Sequence, residues 1–317
     1  MTKPILRIVS RGSPLALAQS HMVRVALATA HGWTGDLDLV CPIITIKTTG
    51  DRIQDRPLVE AGGKGLFVKE IEEALIANEG DVAVHSMKDM PALQPPGLVI
   101  AAVLPREDPR DMFISGNGAP FGQLPMGARF GTSSVRRQAQ LLRQRPDLSI
   151  VPLRGNVETR LAKLKRGEVD ATMLAKAGLN RLKIAVPEGH VMEEFLPALC
   201  QGAVGLEIRE SDARTLSLVE AIDHGPTHLA ISCERGFLGA LDGSCRTPIA
   251  GLARIKGEML EFTGEALTTD GKDSWQVERS FVRLPSGVAA ARAKANEIGR
   301  ESGREIRDSA GEYLPRN

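Results

Sequence analysis

The sequence predicts an α/β protein of two doubly wound lobes followed by a smaller α+β domain at the C-terminal end. Three observations predict it. Over the first two thirds of the 317 residues, short apolar runs alternate with amphipathic runs of helical period, the pattern of parallel strands joined by crossover helices. The alternation breaks at Pro105–Pro109 and again near Leu196–Leu206, as if the chain crossed twice between two lobes with a cleft between them. After about Asp223 the texture changes to strands that meander.

Each element has a local reason. Leu6–Val9 reads as a strand and Pro14 to about Ala30 as a helix, with proline at a permitted early position. Ile43–Lys47 reads as a strand. Leu66–Asn78 reads as a helix, because Phe67, Ile71 and Leu75 recur every four residues. Val82–His85 is a short strand. The rhythm returns with strands at Arg129–Gly131, Ile150–Leu153 and Val169–Leu174, and helices at Val135–Gln144 and Val157–Lys165. In the last third, Ile249–Lys256, Glu258–Thr268 and Trp275–Val282 read as a meander with Asp270-Gly271 at a hairpin turn, closed by a helix over Val288–Ile298. The domains expected from this are 1–104 with 200–222, 105–199, and 223–317.

Composition removes several function classes. Lys and Arg number 40 against 39 Asp and Glu, for a net charge of +1, so no global field attracts nucleic acid. Aromatic residues are 3% of the chain, too few for base-stacking platforms. No apolar run approaches the ~18 residues of a membrane helix, and MTKPILRIVSRGSP lacks the apolar core of a secretory signal. Cys41, Cys200, Cys233 and Cys245 are scattered with no C-x-x-C pair, against a zinc site or disulfide framework. A cytoplasmic protein with free thiols, no metal, no nucleic-acid partner and no membrane partner is expected.

In open α/β sheets ligands bind beyond the carboxyl ends of the strands, and cations collect there. The first strand is followed by Arg11 and Ser13, and the third by Ser86, Lys88 and Asp89. Gly131-Thr132-Ser133-Ser134 leads into a helix whose first turn holds Arg136 and Arg137. Arg154 and Arg160 follow the next strand, and Lys176 and Arg181 the one after. From Arg129 to Arg166 there are eight Arg and two Lys against Asp147 and Glu158. Helix N-termini favour anions, and arginine matches a carboxylate with a planar fork. The expected ligand carries several carboxylates. Arg143, Arg145, Lys163, Lys165 and Arg166 read instead as solvated helix faces.

Other residues have two readings. Asp89 is either a salt-bridge or capping group, or a carboxylate able to stabilise positive charge or move a proton. Cys233, four residues from both Leu229 and Phe237, reads as core, and Cys41 as packing. Cys245 sits in the loop LDGSCRTP, where Arg246 would favour thiolate; it is either a plain loop thiol or a covalent attachment point. Ala61–Phe67 only loosely resembles a phosphate loop, since Gly65 follows Lys64 where a hydroxyl residue is required, and nucleotide binding is rejected. Thr48–Glu60 is polar and reads as a lid.

The motifs SRGSPLALAQ, KTTGD, GGKGLFVKE, DVAVHSMKDMP, REDPRD, GTSSVRRQ, LRGNVETRLAKL, LAKAGLNRL, QGAVGLE and LDGSCRTPIAG occur in this order between about Leu6 and Gly251. Together they resemble the porphobilinogen deaminase (hydroxymethylbilane synthase) family. The resemblance implies two lobes like type II periplasmic binding proteins and a third domain. It implies a monomer that condenses four porphobilinogen molecules, each losing ammonia, and releases hydroxymethylbilane with water. It implies a dipyrromethane cofactor held as a thioether on Cys245. Asp89 would be catalytic, stabilising the cationic azafulvene and the pyrrole nitrogens. Ser86, Lys88, Ser133 and Ser134, with Arg136, Arg137, Arg154 and Arg160, would bind the cofactor. Arg11, Ser13, Gln19 and Lys64, with Phe67, Thr132, Arg181 and Gln201, would meet substrate and the growing polypyrrole chain. Cys200 stands where the family is expected to have glycine, which places a second thiol near the hinge.

Two rival readings share parts of this pattern. A non-catalytic anion receptor has the same two lobes but no use for Cys245. A nucleic-acid binder would use the Arg129–Arg166 patch and show a steep salt dependence.

Overall fold

A computed structural model describes residues 4–52, 65–241 and 247–313. In chain order the elements are β1 (Ile8–Arg11), α1 (Pro14–His31), α2 (Leu37–Val40), β2 (Ile43–Ile46), α3 (Thr49–Arg52), α4 (Lys69–Ile76), β3 (Val82–Ser86) and β4 (Leu98–Val103). Next come β5 (Asp111–Ser115), β6 (Arg129–Gly131), α5 (Val135–Gln144), β7 (Ser149–Val151), α6 (Val157–Lys165), β8 (Ala171–Ala175), α7 (Lys176–Arg181) and β9 (His190–Met192). The last are β10 (Val204–Arg209), α8 (Ala213–Val219), α9 (Gly225–Ala240), β11 (Ile249–Lys256), β12 (Met259–Leu267), β13 (Ser274–Arg283) and α10 (Val288–Ala310). Met1–Glu107 with Ala203–His228 form one compact unit, and Asp108–Gly202 with Leu229–Asn317 form another. The crossings thus fall at 107/108, 202/203 and 228/229, and the C-terminal sheet belongs to the same unit as residues 108–202.

The first unit is built on a five-stranded sheet of order β2-β1-β3-β10-β4. β1 runs parallel to β2 and β3, whereas β10 runs antiparallel to both β3 and β4. The wholly parallel sheet expected from sequence is therefore corrected to a mixed one. Side chains alternate across it with period two, as strands require. Ile8, Val82 and Val84 pack with Val23 and Leu27 of α1; Val9 and Ala83 pack with Ile71 and Leu75 of α4. With both faces covered, the strands are mostly apolar, and their polar residues include Arg11 and Ser86 at strand ends and the buried His85 and Glu207. α1 is started by Ser13, whose hydroxyl accepts from Ala16 N at 3.4 Å, with Pro14 at N1. It ends at Gly32, whose φ of 62° suits a residue without Cβ.

The second unit repeats the plan, with order β7-β6-β8-β5-β9. Here too β5 is antiparallel to its neighbours β8 and β9. Phe113, Phe130 and Met173 fill one face and Ile114, Leu153 and Leu174 the other. Within the same unit β11-β12-β13 form an antiparallel meander. α10 crosses α9 so closely that a Cβ on Gly299 would run into the Cys233 carbonyl and come within 2.8 Å of Phe237 N. No helix of the described residues is long and apolar enough to cross a membrane.

Candidate active site

In the first unit the carboxyl ends of β1 and β3 open into a pocket enclosing about 420 Å³, part of it open to solvent, lined by Arg11, Ser13, Gln19, Phe67, His85, Ser86 and Asp89 among others. Five of the sequence-derived residues besides Asp89 therefore meet here. Arg11, the last residue of β1, pairs with Asp51 (Nη2–Oδ1 2.5 Å), and its guanidinium lies 4.1 Å from the Phe67 ring centroid. Burial pushes the Asp51 carboxyl up, but hydrogen bonds from Arg11 and Thr48 outweigh it and lower the pKa. Gln19 is buried, and its amide joins β3 to α1: Nε2 donates to Ser86 Oγ at 2.8 Å, and Oε1 lies 3.0 Å from the same hydroxyl.

Met87–Asp89 form a single 3-10 turn directly after β3. Met87 is buried and anchors the turn, while Lys88 and Asp89 are exposed. Among the described residues the Asp89 carboxylate has no ion-pair partner, so neither a bridge to Lys88 nor a helix cap accounts for it.

The start of the expected lid is held to its neighbours by hydrogen bonds. Thr48 is fully buried and donates to Asp51 Oδ2 at 2.8 Å, and Thr49 N donates to Glu70 Oε1 at 2.7 Å. A Cβ on Gly50 would strike the Phe67 ring, so this turn needs glycine to lie against the pocket wall. Lys64 and the remainder of the lid, from residue 53, lie outside the described residues.

In the second unit Arg136 and Arg137 sit in the first turn of α5, capped by Ser134, which accepts from Arg137 N at 3.4 Å. Both arginines are buried, and both turn onto Asp111 at the start of β5. Arg136 Nη2 is 2.7 Å from Asp111 Oδ2, and Arg137 Nη2 is 2.8 Å from Oδ1. Gln201 Nε2 donates to Asp111 Oδ1 at 2.9 Å and to Pro109 O at 2.7 Å. Arg136 Nη1 also reaches Gln140 Oε1 and Leu196 O, and Arg137 Nη1 reaches Met173 O. Burial pushes the Asp111 carboxyl up, yet the two guanidinium charges overrule it and hold the group well below the usual range. Burial pulls Arg136 below its ordinary value, with Asp111 opposing. Arg136 Nε is buried with no hydrogen-bond partner.

Around this cluster, Thr132 is buried and accepts from Ser134 N at 3.1 Å, while Ser133 is exposed and donates to Leu153 O at 3.2 Å. Arg154 and Arg160 are half-buried near the start of α6, and Arg160 Nε donates to Gly155 O at 2.8 Å. Arg181 donates to Gly202 O at 2.6 Å. Two arginines expected on solvated faces are not there. Arg143 bridges α5 to Glu265 of β12. Arg145 holds Asp147 at 2.7 Å and the carbonyls of Phe121, Leu124 and Pro125.

Sequence reasoning missed Asp111, Asp51 and the His85–Glu207 pair. Asp111 had a signal: EDPRD is followed at once by the apolar Met112-Phe113-Ile114, which reads as a buried strand. Cys41, Cys200 and Cys233 are buried. Burial pushes the Cys41 thiol up to about 12 and raises Cys233 well above its ordinary value. Cys200 adopts φ 61°, a conformation that glycine takes without strain. Cys245 lies outside the described residues.

Comparison with known proteins gives two family matches. Residues 6–217 match the model described as porphobilinogen deaminase, dipyromethane cofactor binding domain, and residues 228–308 match its C-terminal domain. The chain is similar to the porphobilinogen deaminase of Paracoccus denitrificans, 55% identical over 276 residues (86% of this chain, 87% of that protein). It is also similar to that of Nitrobacter winogradskyi, 49% identical over 313 residues (98% and 95%). Among solved structures it is similar to a periplasmic binding protein from Brucella ovis with glutathione bound, with TM-score 0.41 and 16% identity, covering 75% of this chain and 68% of that one. A periplasmic binding protein of Salmonella typhimurium with high arginine specificity gives TM-score 0.40 and 12% identity, covering 70% and 92%.

Proposed function

Because this chain belongs to the porphobilinogen deaminase family, we propose that the Asp89 pocket carries out the chemistry and that the arginines of the second unit hold carboxylates. The enzyme is a transferase that condenses porphobilinogen head to tail in tetrapyrrole biosynthesis and gives hydroxymethylbilane. Four porphobilinogen units are joined, and each loses ammonia. In this reading 1–104 with 200–222 carry Asp89, 105–199 carry the arginine set, and 223–317 carry Cys245.

The observation that carries the proposal is an exposed, unpaired carboxylate in a pocket otherwise lined by Arg11, Ser13, Gln19 and Ser86. When ammonia leaves porphobilinogen, positive charge stays on the ring and its methylene. An unpaired carboxylate stabilises that charge, and a neighbouring arginine holds the substrate's acidic arms. Lys88 projects from the same turn as Asp89 and adds a second cation at the rim. Phe67, stacked on Arg11, gives the ring an apolar wall.

The residues present fit a dipyrromethane, which carries acetate and propionate arms. Ser133 and Ser134 lead into the ten-residue helix α5, whose N-terminus favours anions. Arg136 presents a buried Nε with no partner, and Arg137, Arg154 and Arg160 add charge nearby in sequence. Thr132, Arg181 and Gln201 complete the substrate set. Bound there, the group supplies the nucleophilic pyrrole carbon on which the chain starts. Its attachment to Cys245 is supported by elimination, since Cys41, Cys200 and Cys233 are buried.

Intact mass tests the proposal. Protein from cells that make porphobilinogen should be heavier than its sequence by two linked pyrrole units, and Cys245→Ser should remove the excess. An unmodified wild-type mass would overturn the attachment.

A further inference from the structure

One wall of the pocket holds titratable groups that the reading above leaves idle. His85 lines the pocket and is 5% exposed. Its Nε2 lies 3.0 Å from Oε2 of Glu207, which is fully buried on β10. In the antiparallel register His85 faces Gly205 and Glu207 faces Ala83, so the two side chains are diagonal neighbours on the face that Ala83 shares with α4. Glu72 of α4 lies beside them. Burial, then the charge of Glu207, push its carboxyl up to about 7, while His85 works the other way. Oε1 of Glu72 and Oε1 of Glu207 are both buried without a hydrogen-bond partner. Among the described residues His85 Nδ1 has no partner either.

A His–Glu bridge that merely tied β3 to β10 would not need a second acid beside it. Nor would it leave two buried carboxylate oxygens unmatched, since each such group costs free energy. Two carboxylates and an imidazole therefore meet at one wall of the pocket. One member of the set opens on the pocket.

We propose that His85, backed by Glu207 and Glu72, is the proton-holding station of this pocket and takes up the proton that each coupling sets free. The inference rests on the pocket being the place of coupling. The C–N bond of the substrate's protonated aminomethyl group breaks, and its electron pair leaves on ammonia. The α-carbon of the terminal pyrrole then donates an electron pair to the cationic methylene and forms the new C–C bond. That α-carbon loses its proton, and the C–H electron pair restores the aromatic ring. His85 accepts the proton and releases it to solvent, where the ammonia set free in the first step takes up one proton and becomes ammonium. The charged groups around His85 are Glu207 from β10 and Glu72 from α4 (with Glu73 acting on Glu72), and Arg11 from β1 and Asp89 from the 3-10 turn line the same pocket. β4, on the far side of β10, is apolar along its whole length.

The test is kcat against pH for the holoenzyme and three variants, with thermal melting as the check on folding. His85 must be neutral to accept a proton, so wild-type kcat falls on the acid side. Glu207→Gln removes the anion that favours the protonated ring and should move this limb to lower pH by about one unit. Glu72→Gln should move it the same way by about half as much. His85→Gln should lose the limb and lower kcat by roughly 10²-fold or more. A limb that stays in place in Glu72→Gln and Glu207→Gln, or wild-type kcat in His85→Gln, overturns the inference. If the variants at the two buried positions do not fold, Glu72→Gln decides alone, because that side chain is half-exposed. Asp89→Asn separates the two failures. Full turnover in that variant sinks the pocket reading and this inference with it, whereas a disabled Asp89→Asn beside an unmoved limb in Glu72→Gln sinks this inference only.

Discussion

Replacing Asp111 by Asn should be among the most damaging single changes in the second unit. The carboxylate is fully buried and accepts from Arg136 at 2.7 Å, from Arg137 at 2.8 and 3.3 Å, and from Gln201 at 2.9 Å. Asn keeps one acceptor oxygen, points an amide N–H₂ toward the guanidinium groups, and leaves two buried positive charges without an anion. Removing one partner of a buried pair costs about 3–5 kcal/mol. For a unit of this size that is a drop in Tm of roughly 6–20 °C. The pH dependence carries the sign. The folded pKa of Asp111 lies below its unfolded value of about 3.9, so its stabilisation is complete above about pH 4 and fades as pH falls from there. The gap between wild type and Asp111→Asn should be widest near neutrality and narrow by roughly 1 kcal/mol at pH 3. Urea unfolding followed by circular dichroism at pH 7 and pH 3 measures both. A variant as stable as wild type at pH 7, or an equal gap at the two pH values, would refute the reasoning.

Three further outcomes are expected. Asp89→Asn should lower turnover by about 10²–10⁴-fold with an unchanged melting curve, since the side chain is exposed; steady-state assay beside calorimetry checks both halves. Arg11→Leu should lower kcat/KM by about 10- to 150-fold, the equivalent of one charge-assisted contact of about 1.5–3 kcal/mol, and an unchanged kcat/KM removes Arg11 from substrate binding. Gly299→Ala should destabilise by about 1–3 kcal/mol, because its methyl group meets the backbone of α9; a urea midpoint equal to wild type would show that the two helices part at little cost.

Where a strand is followed by its own helix, sequence reading placed both: β1 with α1, β6 with α5, and β7 with α6 lie within two residues of expectation, and β3 ends one residue beyond it. β4, β5 and β10 were passed over. Leu98–Val103 and Asp111–Ser115 are short apolar runs with turn signals on at least one side, a legible strand signal. They lack a following crossover helix because they pair antiparallel, so a search for strand–helix repeats does not find them. Helix ends were harder. α4 begins at Lys69 rather than Leu66 because the chain turns at Gly65, whose φ is 71°, and α10 runs on to Ala310 because buried Ser302, Gly303 and Ile306 continue its packed face. The pocket residues Arg11, Ser13, Ser86 and Asp89 were legible because each follows or flanks a strand end, whereas Gln19, inside α1, is named only through the family resemblance. His85–Glu207 was not, since 122 positions separate the partners and only the antiparallel register of β10 brings them together.

The same separation explains why counting charge in a window misleads. Residues 129–166 carry a large local excess of cations, yet most of those arginines have acidic partners outside the window. Arg136 and Arg137 meet Asp111, Arg143 meets Glu265, Arg129 meets Asp170, and Arg166 meets Glu168. The excess therefore does not measure the charge of a ligand. What the buried pairs supply instead is geometry. A guanidinium clamped on a fully buried carboxylate has a fixed fork and loses little further freedom when an anion docks. In the proposed function Asp111 thus belongs to carboxylate capture as much as to stability. Its loss should weaken ligand binding even in a unit kept folded by lower temperature, because the arginines would then have to be ordered by the ligand itself.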